Sequence, residues 1–443
     1  MKNIHILLCL LIVTGGGVFA QTLSLEQART LALANSRSLA RYDMAIRNSV
    51  LDERNQLFSM LPSLSAEYHA SMNYLKDWNF VNPVDTFSTG ATFAVTQIIF
   101  QGGKSFIQKA ISAIATESVR HEALAEYFSV LDAADNAYYA VLEAAASLEA
   151  AESSLQTAAL ALSMAEIRQA SGMINQGDYL KAQADKEARE NTRNQARRNL
   201  ALNETKFKSL LGLTQTAELE QIELDAYEDL VLRLAGISDD EADALYDKLW
   251  QTLARANPSL ARAALNNQRA EKSLSIARRD YSPTVSATVF STGLNYSAAG
   301  GFNTTSSGGV SIRGSIPVDF WVMSNRLEKS RIARDSAALD YIGAEISLET
   351  DLQSSLLNTF AQAESVLSSR RTLEYTEKHF EYILERYRLS QASVSDIGEA
   401  STLLINSRNS LIRAQYGFLQ SLSRLRSLGA IDGEEKLIEI LMR

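Results

Sequence analysis

Pro62-Ser63-Leu64-Ser65-Ala66 and Pro283-Thr284-Val285-Ser286-Ala287 are one motif written twice, 221 residues apart. Upstream, Ser38-Leu39-Ala40 meets Ser259-Leu260-Ala261 at the same offset. Downstream, Asp178-Tyr179-Leu180-Lys181-Ala182 lines up with Asp396-Ile397-Gly398-Glu399-Ala400 at an offset of 218, and Leu210-Leu211-Gly212 meets Leu428-Gly429 within one residue. The period is half of the 443-residue chain, so the sequence is a duplicated unit and not a short-period solenoid.

Five prolines are spread over the two units: Pro62, Pro83, Pro258, Pro283 and Pro317. None lies between Pro83 and Pro258, and none follows Pro317. Proline in a helix interior costs about 3 kcal/mol, so the two proline-free stretches, rich in Ala, Leu, Glu, Gln, Ser and Arg, are free to form very long helices. Leu124, Phe128, Leu131, Tyr138, Leu142 and Ala145 step by threes and fours, with Asp135 interrupting, and Leu148, Leu155 and Leu162 continue at seven-residue spacing. That stripe predicts coiled-coil packing. Leu348, Leu352, Leu356, Phe360 and Ala363 share a face in the second stretch. Long helices are expected at about 102–171 and 321–389, with returning helices at 178–210 and 396–428.

Between the helical stretches, Ala91-Thr92-Phe93-Ala94-Val95-Thr96, Thr284-Val285-Ser286-Ala287-Thr288-Val289-Phe290 and Val310-Ser311-Ile312-Arg313-Gly314-Ser315-Ile316 are β-rich. Regions 62–101 and 283–320 each read as a hairpin, turning at Lys76–Thr86 and Asn295–Gly309. Strands of about ten residues or more are long enough to cross a bilayer when tilted. Open sheet edges are not tolerated in lipid and barrels begin at about eight strands, so the four strands of one chain call for oligomerisation. The resulting fold class is mainly α with a membrane β part.

The chain carries 43 Lys plus Arg against 52 Asp plus Glu, a net charge of −9, which argues against a nucleic-acid partner. Mean hydropathy of −0.11 excludes a polytopic helical membrane protein. Residues 1–20 read as a secretory signal: Lys2, the apolar run Ile6 to Val13, Gly15 to Gly17, and Ala20 at the cut. The single cysteine, Cys9, falls within it, so the exported chain is expected to hold neither disulfide nor thiolate metal site. Such a chain suits a bacterial periplasm or outer membrane.

Catalytic patterns do not emerge. Gly102-Gly103-Lys104-Ser105 imitates a phosphate loop, but Ile98 occupies the place of its first glycine. His5, His69, His121 and His379 lack metal-ligand spacing, and no nucleophile elbow is present. The reading is therefore a non-enzyme, with no cofactor and no metal.

Taken in order, Pro62 and Pro283 opening strands, Gln97-Ile98-Ile99-Phe100-Gln101-Gly102-Gly103 closing the first hairpin, Asn257-Pro258-Ser259-Leu260, and the turns at 172–182 and 387–396 resemble the TolC-like outer membrane efflux protein family across the whole exported chain. The resemblance implies a homotrimer, with a 12-stranded barrel in the outer membrane of a Gram-negative bacterium and a helical periplasmic tunnel. It divides the chain into a signal peptide (1–20), a first repeat (21–220), an equatorial insert (214–250), a second repeat (251–430) and a C-terminal equatorial segment (431–443). The acidic runs Glu218–Asp229 and Asp239–Asp247 fit that insert, and fit a solvated linker equally well. Function would be that of an exit duct, fed by a periplasmic adaptor protein and an inner-membrane transporter of the RND, ABC or MFS class, with outer membrane lipid as its other partner.

Residue roles follow from the same resemblance. Asp396 and Glu399, three apart on one helix face, fall where the family carries an acidic ring at the channel entrance. Asp178 and Tyr387 match positions that hold the tip closed by hydrogen bonds between neighbouring helix pairs. Ala392 stands where a family arginine serves the same clasp, and Ser390 replaces a turn glycine that Gly172 retains. Gly172, Asn175, Ser390 and Ser393 lie on the helix turns where the adaptor docks. Phe100, Phe320 and Trp321 read as aromatics of the lower membrane interface or as packing at the strand-to-helix junction. The competing class is a soluble periplasmic coiled-coil scaffold or adhesin, which gains nothing from membrane-length strands.

Overall fold

The computed structural model describes residues 22–72, 87–215, 217–254, 256–297, 301–303, 307–389 and 391–442. The expected signal peptide and the Lys76–Thr86 turn lie outside them. The chain forms two compact units. One holds the described residues of Met1–Asn35 with Leu131–Gly236 and Phe360–Ser423; the other holds Ser36–Val130, Ile237–Thr359 and Arg424–Arg443.

Element order repeats as the sequence does. The first half runs α1 (Leu25–Asn35), α2 (Arg37–Phe58), β1 (Ser63–Met72), β2 (Phe87–Phe100), α3 (Lys104–Ala170) and α4 (Gln176–Leu211). Then come α5 (Glu228–Ala235) and α6 (Asp239–Leu253). The second half runs α7 (Pro258–Arg278), β3 (Thr284–Ser297), β4 (Gly301–Asn303), β5 (Ser307–Ser315), α8 (Phe320–Arg388), α9 (Val394–Leu428) and α10 (Glu434–Met442). Helices α3 and α8 are uninterrupted over 67 and 69 residues, as the absence of proline predicts.

Helix ends are built alike in both halves. Ser36 caps α2 by accepting from the Leu39 N–H at 3.3 Å, and Asn257 caps α7 by accepting from the Leu260 N–H at 3.0 Å, with Pro258 at the first turn, where its missing N–H is harmless. Asn35 donates to the Leu211 carbonyl at 2.7 Å, and Asn257 donates to the Leu428 carbonyl at 2.9 Å. Each asparagine thus satisfies an orphan carbonyl at the end of a returning helix.

The acidic insert carries the helices α5 and α6, which favours a folded segment over a solvated linker. Glu228 and Asp229 open α5, and Asp239, Asp240 and Glu241 open α6, where carboxylates oppose the positive helix end. Ser238 and Glu241 form a reciprocal capping box. Leu245, Leu249 and Leu253 bury the opposite face of α6, and Lys248 donates to the Ile440 carbonyl of α10 at 3.4 Å.

The long-helix stripes are partly as expected. Phe128, Leu131, Tyr138 and Leu142 are buried, as are Leu348, Leu352, Leu356, Phe360 and Ala363. Leu124 is exposed. Beyond residue 150 the fully buried seam of α3 is Ala151, Ser154, Ala158, Ala161 and Ala165, and the expected Leu148, Leu155 and Leu162 are only half-buried beside it. Small side chains take the seam because they let helix backbones approach closely. Asp135, read as an interruption, is the buried centre of its region. Its carboxylate accepts from Arg29 Nε at 2.6 Å, from Arg29 Nη2 at 3.1 Å and from Ser423 Oγ at 2.8 Å. One turn on, the Tyr138 hydroxyl reaches the carbonyls of Leu23 (3.0 Å) and Glu220 (2.6 Å), beside the parallel bridge between Leu23 and Leu219.

Candidate functional site

Two places carry the expected functional residues: the sheet and the turn ends of the helical hairpins. They belong to different units.

The sheet runs β1-β2-β3-β5, all antiparallel, with the three-residue β4 also pairing with β3. The long strands hold 10, 14, 14 and 9 residues. Within the turn expected at Asn295–Gly309 the described residues are strand: β3 continues to Ser297, β4 spans Gly301–Asn303 and β5 starts at Ser307. Gly, Ser and Asn read as turn material in isolation, but ladder pairing holds Asn295, Ser297, Gly301, Asn303 and Ser307 extended here. Among the described residues, β1 and β5 each leave one long edge unpaired.

Register sorts the side chains. Leu64, Val95, Val289 and Val310 are successive cross-strand partners, forming an apolar row that is 41–77% exposed. Tyr68, Phe93 and Ile312 share that face. The other face carries Ser63, Ser65, Glu67, His69, Thr92, Thr96, Ser286, Thr288, Thr292, Ser311 and Arg313. Phe290 is the aromatic exception there, and its ring lies over Gly309, where a Cβ would come within 3.0 Å of it. A register shift between Ile98 and Phe100 pairs Phe100 with Val285, turning Phe100 onto the apolar face.

After β2 the chain reverses through Gly102 and Gly103, at φ +65° and +70°. A Cβ on Gly102 would sit 2.6 Å from Ser282, so no larger residue fits. Here Lys104 (2.7 Å) and Arg326 (3.1 Å) both bind the Asp280 carboxylate. Burial raises the pKa of Asp280, but hydrogen bonds from Lys104 and Arg326 outweigh it and hold the carboxyl below its ordinary value. Phe320 and Trp321 are exposed, and Phe320 stacks on Tyr281 at 6.5 Å.

At the hairpin ends, Arg168 O accepts from the Met173 N–H at 2.8 Å, with Gly172 at φ +72° between them. The same bond closes α8, from the Gln391 N–H to the Arg386 carbonyl at 2.7 Å. Ser390, expected in that turn, lies outside the described residues. Asn175 caps α4 by accepting from the Asp178 N–H at 2.8 Å. Ser393 caps α9 through the Asp396 N–H at 3.2 Å, and the Asp396 carboxylate returns the bond to the Ser393 N–H at 2.7 Å. That backbone bond is the main reason the Asp396 pKa is lowered; the Ser393 hydroxyl, Arg386 and Lys181 add to it. Glu399 accepts from Ser395 Oγ at 3.1 Å, and Lys181 Nζ donates to the same hydroxyl at 2.6 Å. Asp396 and Glu399 are both exposed. An open groove of about 360 Å³ beside them is lined by Lys181, Asp185, Ser395, Gly398, Glu399 and Thr402 among others.

Tyr387 lies buried at the hairpin ends. Its ring is 1% exposed, packed with Ala161, Ala165, Ala182, Val394 and Ile397 from all four helix ends. Its hydroxyl has no hydrogen-bond partner among the described residues, so it makes no bond to Asp178. Burial raises its pKa, Arg168 opposes that shift and Asp178 adds to it. Arg168, which the sequence did not single out, lies 4.0 Å over the Tyr387 ring and donates to its carbonyl. Its signal was faint: a basic residue in the last turn of a helix, where cations are favoured. Among the described residues no group of acidic, histidine or cysteine side chains is arranged to hold a metal, and no helix is long and apolar enough to cross a membrane.

The family model "Outer membrane efflux protein" matches residues 28–213 and 249–430. No curated protein matches the chain. Among solved structures, the chain superposes on the CmeC outer membrane channel of Campylobacter jejuni with TM-score 0.73 at 15% identity, covering 95% of this chain and 89% of that one. The outer membrane protein VceC of Vibrio cholerae gives 0.74 at 15%, with 91% and 96% covered. The open state of the MtrE outer membrane channel of Neisseria gonorrhoeae gives 0.73 at 13%, with 94% and 93% covered. These likenesses establish a shared fold.

Proposed function

This chain belongs to the outer membrane efflux protein family, and we propose that three copies close their sheets into one 12-stranded barrel whose polar face lines the exit. The chain is an outer membrane efflux channel and not an enzyme. One observation supports closure above the others: a sheet with an exposed apolar face, a polar face and, among the described residues, two unpaired long edges. In hydrocarbon an unpaired backbone group costs several kcal/mol, so edges must be joined, and other copies of the same chain supply matching ones. The expected mass of the detergent-extracted outer membrane protein is three chains. A single-chain particle, or a water-soluble one, overturns the closure.

In this reading the helices continue into the periplasm and receive substrate from an adaptor protein and an inner-membrane transporter. Residues 214–250 and 431–443 form the equatorial region, and Phe100, Phe320 and Trp321 sit at the periplasmic edge of the lipid. The turns at Gly172, Asn175, Ser390 and Ser393 present the docking surface. Asp396 and Glu399 supply six carboxylates to one constriction and favour cations there. Lys181 and Arg386 lie close enough to temper that charge. Asparagine keeps the acceptor that Asp396 offers the Ser393 N–H, so Asp396→Asn with Glu399→Gln removes charge and spares the cap. Planar-bilayer recordings of this variant should show weaker cation preference; unchanged preference rejects the ring. Arg168, clamped on Tyr387, supplies the arginine that Ala392 does not, and holds the four helix ends of one chain together.

A further inference from the structure

The four long strands carry three ionisable side chains among their described residues apart from tyrosine: Glu67, His69 and Arg313. Register puts all three on the polar face. Glu67 pairs with Thr92, which pairs with Thr292, and Arg313 pairs with Ser286. Thr292 and Ser286 are six residues apart on β3, which separates the two rows by about 20 Å along the strands. That exceeds the screening length of about 8 Å at physiological salt, so the Glu67 of the same chain does not neutralise Arg313. Arg313 is exposed and makes no hydrogen bond or ion pair among the described residues. Its neighbours on this face are hydroxyls and Ile98: Ser286 and Thr288 on β3, Ser311 and Ser315 on β5. Toward the helices, the Asp280 carboxylate is taken by Lys104 and Arg326. Asp319 follows six residues after Arg313, beyond the end of β5.

An unpaired guanidinium on a hydroxyl-rich wall is a recognition group. It presents five donors in a planar fork that matches carboxylate and phosphate oxygens, and it stays charged at any physiological pH. Its burial in lipid would be costly, which agrees with its place on the polar face. We propose that Arg313 is a specificity-determining residue of the duct, a positive station on the barrel wall that favours passage of solutes bearing carboxylate or phosphate groups. This rests on the reading that the polar face lines the barrel. Closure of three copies repeats the station three times at one height. The site then opposes, inside the barrel, the cation preference assigned to Asp396 and Glu399 elsewhere on the chain.

Two measurements test it. In planar bilayers under a KCl gradient, Arg313→Ser should raise the cation-to-anion permeability ratio about two- to tenfold, and Arg313→Lys should leave it near the parent value. Inorganic phosphate should slow current through the parent and Arg313→Lys more than through Arg313→Ser. Channels whose ratio and phosphate response are unchanged in Arg313→Ser overturn the inference and leave the channel reading standing. The second measurement needs no current. In lipid vesicles, and with Cys9→Ser, a membrane-impermeant thiol reagent should modify Arg313→Cys and spare Ile312→Cys. Labelling of Ile312→Cys with protection of Arg313→Cys overturns the face assignment, and labelling of both shows that no closed barrel has formed.

Discussion

The middles of α3 and α8 occupy equivalent places in the two halves but bury different chemistry. On α8, Leu348, Leu352 and Leu356 pack an apolar stripe. At an offset of 218 the matching residues of α3 are Val130, Ala134 and Tyr138, and next to Ala134 stands Asp135, fully buried. The apolar stripe needs only shape. The polar one needs partners, and it finds them in Arg29 on α1, the strand-like residue Leu23, and Glu220 in the insert. The first long helix thereby fastens the segments around Leu23, Arg29 and Glu220.

The largest expected effect is at that pair. Asp135→Ala leaves the Arg29 guanidinium, 12% exposed, short of its carboxylate and should cost about 3–5 kcal/mol. Pairing Asp135→Leu with Arg29→Met should recover much of the loss, because the apolar replacement makes the first half resemble the second. Chemical unfolding of the detergent-solubilised protein measures both. If Asp135→Ala costs less than Leu352→Ala, the polar cluster is incidental and the contrast between the halves fails. Tyr138→Phe is the next step down. It removes a donor shared by two carbonyls and should cost about 1–2 kcal/mol by the same assay.

A second pair sharpens the contrast at the hairpin ends. Arg168 and Arg386 are equivalent by offset, but Arg168 reaches across to Tyr387, whereas Arg386 donates to Gln391 of its own turn at 2.9 Å. Arg168→Ala should therefore destabilise by about 1–2 kcal/mol and Arg386→Ala by about 0.5 kcal/mol or less. Hydrogen exchange at 383–397 should quicken in the first variant alone; equal effects would make the two ends equivalent after all.

The smallest effect concerns acid. The Asp280 pKa is lowered in the folded chain, so its contribution is present above the unfolded value near 3.9 and is lost as pH falls through the folded value. Asp280→Asn should cost about 1 kcal/mol at neutral pH and flatten the stability profile below pH 4. A profile parallel to the parent's there would mean that Lys104 and Arg326 do not bind the carboxylate in solution.

What the sequence made legible was whatever depends on spacing. Proline placement located α3 and α8 within two residues, and the Asn257-Pro258 pair marked a capped start. The β-rich runs located the strands, although the Gly- and Ser-rich second turn concealed how far β3 and β5 extend, because composition does not register ladder pairing. Spacing also misplaced the seam of α3, where alanine outcompetes leucine once helices approach closely. Partnerships between distant residues were illegible: nothing near Asp135 announces Arg29, and nothing near Tyr387 announces Arg168. Asp396 shows a third case, since the carboxylate read as part of an entrance is also the capping group of its own helix.

The unpaired edges of β1 and β5 bear on how the protein is made. Under the proposed closure between copies, a newly exported chain can complete its helical hairpins alone, but its sheet has no finished state until other copies arrive. Maturation is then a multi-body encounter, whose rate falls steeply as export slows. Meanwhile each waiting chain offers two sticky templates to any passing strand. Holding such chains apart until they meet at the membrane becomes a problem of traffic, set by supply and escort rather than by the stability of any one chain.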